Sequence, residues 1–156
     1  MLALPQTAEY ALRAVCYIAE HEVDGPVPVS EVAASLGAPQ NYLSKTLHRL
    51  GTLGVLSSVR GARGGYTLAA RGSDIRLAAI IEPFLAPTEH RCIMGRTQCR
   101  EDVPCGAHWR WKAVRDTARA FFTDLTVADL LGGEAKGPIG FPRPGAGQVD
   151  AVRAAG

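Results

Sequence analysis

The sequence predicts a mainly α protein, a winged helix-turn-helix with a two-stranded wing and a further long helix beyond it. Three observations predict this class. Three helical patterns run directly into a glycine-rich hairpin pattern. The block from residue 32 to 73 contains no acidic residue at all. A long amphipathic pattern then follows a loop that carries three cysteines.

Residues 7 to 21 read as the first helix, because Leu12, Val15, Ile18 and Ala19 recur at helical spacing. Thr7 stands where an N-cap is expected, and Glu9 and Arg13, four apart, can pair on the polar side. Gly25, Pro26 and Pro28 break this helix. A short second helix is expected over 29–36, with Val32 and Leu36 on one face and Gly37 as its stop. Pro39 can occupy the first turn of a third helix, where its missing N–H costs little. That helix runs to about residue 50 or 53, with Leu43, Leu47 and Leu50 facing inward. Asn41, Ser44, Lys45 and His48 share the opposite face.

Strands are expected over 56–60 and 66–69, flanking Gly61-Ala62-Arg63-Gly64-Gly65. The glycines of that turn can take positive φ. Ser73 then opens a helical stretch to about Phe84, with Ile75, Leu77, Ile80 and Ile81 as its apolar residues. A loop follows over 87–104. From Gly106 a long helix pattern reaches Leu125, with Trp109, Val114, Ala118, Phe121 and Phe122 as its apolar face, and Thr126 caps a last turn over 127–131. Residues 132–156 hold seven glycines and three prolines, too many for a packed core, so the tail is expected to be disordered. The domain reading is 1–72 for the winged helix-turn-helix, 73–91 for a connecting helix and loop, and 92–105 for the cysteine loop. The long helix and its closing turn take 106–131, and the tail 132–156.

The 156 residues suit one ordinary domain, and 47% hydrophobic with 21% charged residues is usual for a globular protein. No apolar run approaches the roughly eighteen residues of a membrane span. The start, residues 1–5, lacks the basic-then-apolar pattern of a secretory signal, so a cytoplasmic location is expected. The net charge is only +2, but Lys45, Arg49, Arg60, Arg63 and Arg71 place +5 in the acid-free block and leave −3 for the rest. Such concentration suits a polyanionic partner, because cations that displace condensed counterions from phosphates gain entropy. A solvated basic face is the plainer alternative.

Within that block the exposed face of the third helix has the side chains that read base edges in a major groove, and an arginine at a narrow wing tip suits a minor groove. Gln40, Asn41, Tyr42 and Ser44 are assigned to base edges or nearby phosphates. Lys45, Arg49 and Arg60 are assigned to phosphates, and Arg63 to the minor groove. An ion pair with Glu31 is the structural alternative for Arg49.

Cys16 lies in a helical apolar pattern and is read as core. Cys92, Cys99 and Cys105 are separated by six and five residues, which is not a C-x-x-C zinc knuckle and is looser than a ferredoxin run. Thiolates this far apart on a loop can fold around an iron–sulfur cluster. Arg91, Arg96 and Arg100 would favour thiolates and balance an anionic group. Zinc, redox-active thiols and unliganded thiols remain alternatives.

A resemblance sharpens this reading. Tyr42-Leu43, Leu50, the run Gly54-Val55-Leu56-Ser57-Ser58-Val59-Arg60-Gly61 and Gly64-Gly65-Tyr66-Thr67-Leu68 resemble the IscR/NsrR/CymR (Rrf-type) family of bacterial winged-helix regulators. Glu9-Tyr10-Ala11-Leu12-Arg13-Ala14 is similar to that family's first helix. Phe121-Phe122 with Thr126-Val127-Ala128-Asp129-Leu130 is similar to its dimerisation helix and closing turn. The resemblance covers residues 7 to 131 and implies a transcription regulator rather than an enzyme. It implies a homodimer whose long helices cross, placing two recognition helices on palindromic double-stranded DNA.

It also implies a [2Fe–2S] or [4Fe–4S] cluster on Cys92, Cys99 and Cys105, although the first gap here is six residues where five is common. His108 matches the histidine ligand of one branch and is favoured as the fourth ligand. Glu9 matches the position from which the nitric-oxide-sensing branch supplies a carboxylate across the dimer, and His90 is a weaker candidate. Helix capping by His108 and the Glu9–Arg13 pair are the plainer roles. Gain, loss or oxidation of the cluster would change operator affinity in response to redox state, nitric oxide or iron. Some relatives carry no cluster, so a regulator acting through thiol chemistry, a metabolite or a partner protein stays open. An iron–sulfur enzyme or electron carrier would leave the basic block without a purpose. The chain shows no glycine-rich nucleotide loop, no nucleophile–base pairing and no second cysteine set.

Overall fold

The computed structural model describes residues 4–61, 63–85, 94 and 100–132. Cys92, Cys99, His90, Ala62 and the expected disordered tail beyond Gly132 lie outside the described residues.

The first helix, α1 (Gln6–His21), starts after Pro5, whose carbonyl accepts the Glu9 N–H at 3.0 Å. Pro5 therefore occupies the N-cap, and the expectation that Thr7 caps the helix is corrected. Thr7 lies within the first turn, and its hydroxyl bonds instead to that of Tyr42. One face of α1 is small and fully buried, with Ala8, Ala11, Ala14, Val15, Cys16 and Ile18.

Helix α2 (Val29–Leu36) ends on Gly37, whose φ of 63° is the left-handed conformation that closes a helix without a Cβ clash. Helix α3 (Gln40–Thr52) follows. Pro39 is its N-cap, one residue outside the helix, and its carbonyl accepts the Leu43 N–H at 3.0 Å. Leu43, Leu47 and Leu50 are fully buried, as the apolar stripe requires.

Strands β1 (Leu56–Val59) and β2 (Gly65–Leu68) pair antiparallel with Leu56 opposite Leu68 and Ser58 opposite Tyr66. A third segment, invisible as a strand pattern, joins them. Val27 bridges Tyr66 through two backbone hydrogen bonds of 2.9 Å. Gly61 has a φ of 119°, but Gly64 and Gly65 do not have positive φ. Their requirement is space. A Cβ on Gly65 would stand 2.4 Å from the Val27 carbonyl oxygen, and one on Gly64 would stand 2.5 Å from that of Val59.

The helix expected from Ser73 to Phe84 is broken. A 3₁₀ turn (Gly72–Asp74), helix α4 (Leu77–Ile81) and a second 3₁₀ turn (Glu82–Phe84) replace it. Ile75 and Arg76 are extended because they pair with the segment before the last helix. Val127 N–H donates to Ile75 and Leu77 N–H to Leu125, both at 3.0 Å, with Arg76 opposite Thr126. These tertiary bonds outweigh the local helical pattern.

The long helix α5 (His108–Asp124) and helix α6 (Val127–Gly132) complete the described chain. Thr126 caps α6 as expected, accepting the Asp129 N–H at 3.1 Å while its own N–H donates to the Asp129 carboxylate at 2.9 Å. Ile75, Leu77, Ile80, Ile81 and Val127 share one hydrophobic core with α1 to α3.

Two glycine substitutions separate space from flexibility. Gly65→Ala is expected to cost about 2 kcal/mol and to lower Tm, because the Val27 backbone must move. Gly51→Ala is expected to raise stability by about 0.5 kcal/mol, since its Cβ would meet only ordinary contacts at 3.8 Å. Thermal unfolding of both variants checks the pair.

Candidate nucleic-acid interface and cysteine loop

With the three leucines turned inward, α3 presents Gln40, Asn41, Lys45, His48 and Arg49 as exposed residues. Ser44 is half-buried, and its hydroxyl donates to the Gln40 carbonyl at 2.8 Å. Asn41, Ser44 and Lys45 therefore share the outer face that the periodicity predicts. Arg60 and Arg63 are exposed on the wing. The helix and the wing meet in a shallow notch lined by His48, Gly51, Thr52, Leu56, Ser58 and Tyr66.

Two predicted contact residues are engaged within the chain. Tyr42 is half-buried, its hydroxyl bonded to Thr7 and its ring edge-on to Tyr10 at 5.9 Å, so it fastens the first turn of α3 to α1. Arg49 does not pair with Glu31, which accepts the Tyr17 hydroxyl at 3.1 Å. Its guanidinium lies 5.1 Å from the centre of the Phe84 ring, a cation–π contact. Phe84 ends the second 3₁₀ turn, Glu82–Phe84. Sequence reasoning missed this link because no local pattern relates residues 49 and 84. It also left His48, Ser58 and Tyr66 without a role.

Of the predicted cluster ligands, Cys105 and His108 are described, and one turn holds them together. Cys105 is a half-buried free thiol, and its carbonyl accepts the His108 N–H at 2.9 Å. The His108 ring is buried at the start of α5 and meets Trp109 edge-on at 4.7 Å. Glu9 lies on α1, with a carboxylate oxygen 3.3 Å from Arg13. That pair is the one expected, although Arg13 is buried rather than solvated. Among the described residues no three His, Cys, Asp or Glu side chains gather around one point; Cys92 and Cys99 lie outside them.

The charges beside Cys105 are paired locally. Arg100 donates to Asp102 at 2.9 Å, and this holds the Asp102 carboxyl below the usual carboxylate range. Lys112 pairs with Asp116 at 3.3 Å and Glu101 at 3.6 Å, which raises its own pKa. Cys16 is different in kind. Burial, with a smaller effect of Glu20, pushes its thiol up to about 12, as befits a core side chain.

On α5, Phe122 packs against the core, while Val114 and Phe121, two turns apart on one face, stay exposed. Trp109 is exposed as well. No helix of the described residues is long and apolar enough to cross a membrane.

Comparison with known proteins settles the family. Residues 4–133 match the Rrf2 family, described as an iron-dependent transcriptional regulator. The chain belongs to the Rrf2 family. It is 35% identical over 133 residues to an HTH-type transcriptional regulator of Aquifex aeolicus (strain VF5), covering 83% of this chain and 92% of that protein. It is 28% identical over 130 residues to the HTH-type transcriptional regulator IscR of Vibrio atlanticus (strain LGP32), covering 83% and 75%. Among solved structures it is similar to CymR (YrzC), the global cysteine regulator of B. subtilis, with a TM-score of 0.70 and 25% identity over 83% of this chain and 96% of that one. It is also similar to T. potens IscR, with a TM-score of 0.68 and 26% identity over 84% and 87%. The chain is thus a transcription regulator of Rrf2 type, a role without enzymatic chemistry, and its winged helix is the DNA-binding part of that fold.

The two described thiols differ in exposure, Cys16 being buried and Cys105 half-buried. Brief alkylation of the folded protein near neutral pH is expected to modify Cys105 and to spare Cys16 until the chain is unfolded. Mass spectrometry of the alkylated peptides checks this.

Proposed function

We propose that this Rrf2 regulator is a homodimer that reads palindromic double-stranded DNA and senses redox state, nitric oxide or iron through an iron–sulfur cluster. Cys92, Cys99, Cys105 and His108 would hold the cluster. Bound there, it would supply reversible electron and ligand-exchange chemistry that thiols alone lack. Glu9 is the lesser candidate for the fourth ligand, because Arg13 already engages its carboxylate.

The observation that carries the proposal is the shared core. The acid-free face of α3 is packed from within by Leu43, Leu47 and Leu50, and the same core includes α4, whose following turn leads into the cysteine loop. Arg49 adds a direct contact from α3 to that turn at Phe84. A change in how the loop is held can therefore bear on the pose of the DNA-reading helix, with a coupling of about 1–3 kcal/mol between two such sites being ordinary. Exposed Val114 and Phe121 on α5 support a second copy of the chain as the partner of that helix.

On the DNA, Gln40, Asn41 and Ser44 would reach base edges or adjacent phosphates, with Tyr42 at the edge of that group. Lys45, Arg49 and Arg60 would meet phosphates, and Arg63 would enter the minor groove. A cluster-free regulator using the free Cys105 thiol is the second reading.

Anaerobic purification tests the cluster. Iron and acid-labile sulfide in the chain, lost in Cys99→Ala with the circular dichroism unchanged, is the expected result. Colourless protein with neither, or with stoichiometric zinc, assigns the thiol reading or a zinc site instead. Arg63→Ala tests the wing. It is expected to weaken DNA binding and to lower the slope of log K against log salt by about one. An unchanged slope in titrations over several salt concentrations means the wing tip does not touch DNA.

A further inference from the structure

We infer that the notch between α3 and the wing seats one backbone phosphate of the DNA, held by His48, Ser58 and Tyr66. The inference rests on the reading of the α3–wing face as a DNA interface and adds three contact residues to it.

The geometry comes from the strand register. Leu56 is buried, and Ser58, two residues on, faces the same side of the strand. Tyr66 is the cross-strand partner of Ser58 and lines the same notch. His48 forms the opposite wall from α3, and Gly51 leaves the floor between them open. A Cβ on Gly51 would stand 3.8 Å from the Tyr66 ring.

Hydrogen-bond accounting distinguishes these side chains from their neighbours. Ser44, Thr46 and Thr52 each donate their hydroxyl proton to a carbonyl one turn back in α3. Among the described residues no hydrogen bond engages the side chains of His48, Ser58 or Tyr66. Burial raises the Tyr66 hydroxyl above its usual pKa, so it stays an O–H donor. The notch thus offers three unspent donors in a concave site. The charged residues on these elements and beside them are Lys45 and Arg49 on α3, Arg60 just after β1 and Glu22, whose carboxylate accepts the Leu68 N–H of β2 at 2.6 Å.

That chemistry fits the non-bridging oxygens of a phosphodiester. Each of the three side chains has a proton to donate to such an oxygen, and Lys45, Arg49 and Arg60 nearby favour an anion. The position fits too. With α3 in a major groove and the wing in the adjacent minor groove, the strand between the grooves must cross the seam where α3 meets the wing. The notch is in that seam.

The test uses the full chain and a duplex selected from a random library by the wild-type protein. Single phosphates are replaced in turn by neutral methylphosphonates. Wild type is expected to lose affinity at each contacted phosphate, and the His48→Ala, Ser58→Ala double variant to bind about tenfold more weakly than wild type on every duplex except that with the neutral notch phosphate, where the two bind alike. Both side chains are exposed, so an unchanged Tm confirms that the fold is intact. A double variant that binds like wild type, or that stays as sensitive to every methylphosphonate, overturns the inference while the DNA reading stands. His48 ring resonances that saturate with inorganic phosphate yet do not move with the duplex assign the notch to a free anion and overturn it as well. Wild-type protein that retains no duplex overturns the DNA reading and the inference together.

Discussion

The inner face of α1 determines where every other element can lie. Ala8, Ala11 and Ala14 have no exposed surface and almost no side chain, so neighbouring helices approach its backbone closely. Val15 and Ile18 fill the remaining volume at the other end of the face. Against this one helix pack α2, α3, β2, α4 and α6. The orientation of α3 is fixed from inside by its three leucines and fastened at its first turn by Tyr42. Its outer face, with Gln40, Asn41, Lys45, His48 and Arg49, is left exposed.

The same constraint bears on the proposed link between the cysteines and α3. Both ends of the cysteine-bearing stretch are tied to this core. On one side α4 contributes Leu77, Ile80 and Ile81, and on the other α5 begins at the buried His108. The pairing of 75–77 with 125–127 ties the far end of α5 back to the start of α4. In the proposed switch, a change at Cys105 would bear on packed elements, which tend to shift as units rather than deform. Phe84, 5.1 Å beneath the Arg49 guanidinium, is the contact that would carry such a shift to α3.

Local pattern carried much of the fold. The limits of α2 and the inward stripe of α3 follow from periodicity, and Gly37 stops α2 as a glycine with positive φ does. Three features escaped it, each because a distant residue decides. The break at Ile75 and Arg76 is made by Leu125 and Val127. The need for glycine at 65 comes from the backbone of Val27, where positive φ had been the expected reason. Thr7 is drawn away from capping by Tyr42. For the site, the exposed polar residues of α3 and the wing arginines were legible from spacing and charge. The notch was not, because its walls come from α3 and both strands and only the register brings them together. The pairing of Cys105 with His108 in one turn was legible from their spacing of three.

The proposed switch makes Cys105, beside the start of α5, and the DNA-reading helix two ends of one packed unit. Affinity for a selected duplex, measured on one anaerobic preparation before and after oxidative loss of its cluster, tests it in wild type and in Phe84→Leu. The account predicts a change of about five- to a hundredfold in wild type. It predicts a smaller ratio in Phe84→Leu, which keeps apolar bulk but removes the ring beneath Arg49. Equal affinities in the two states of the wild-type protein would contradict it.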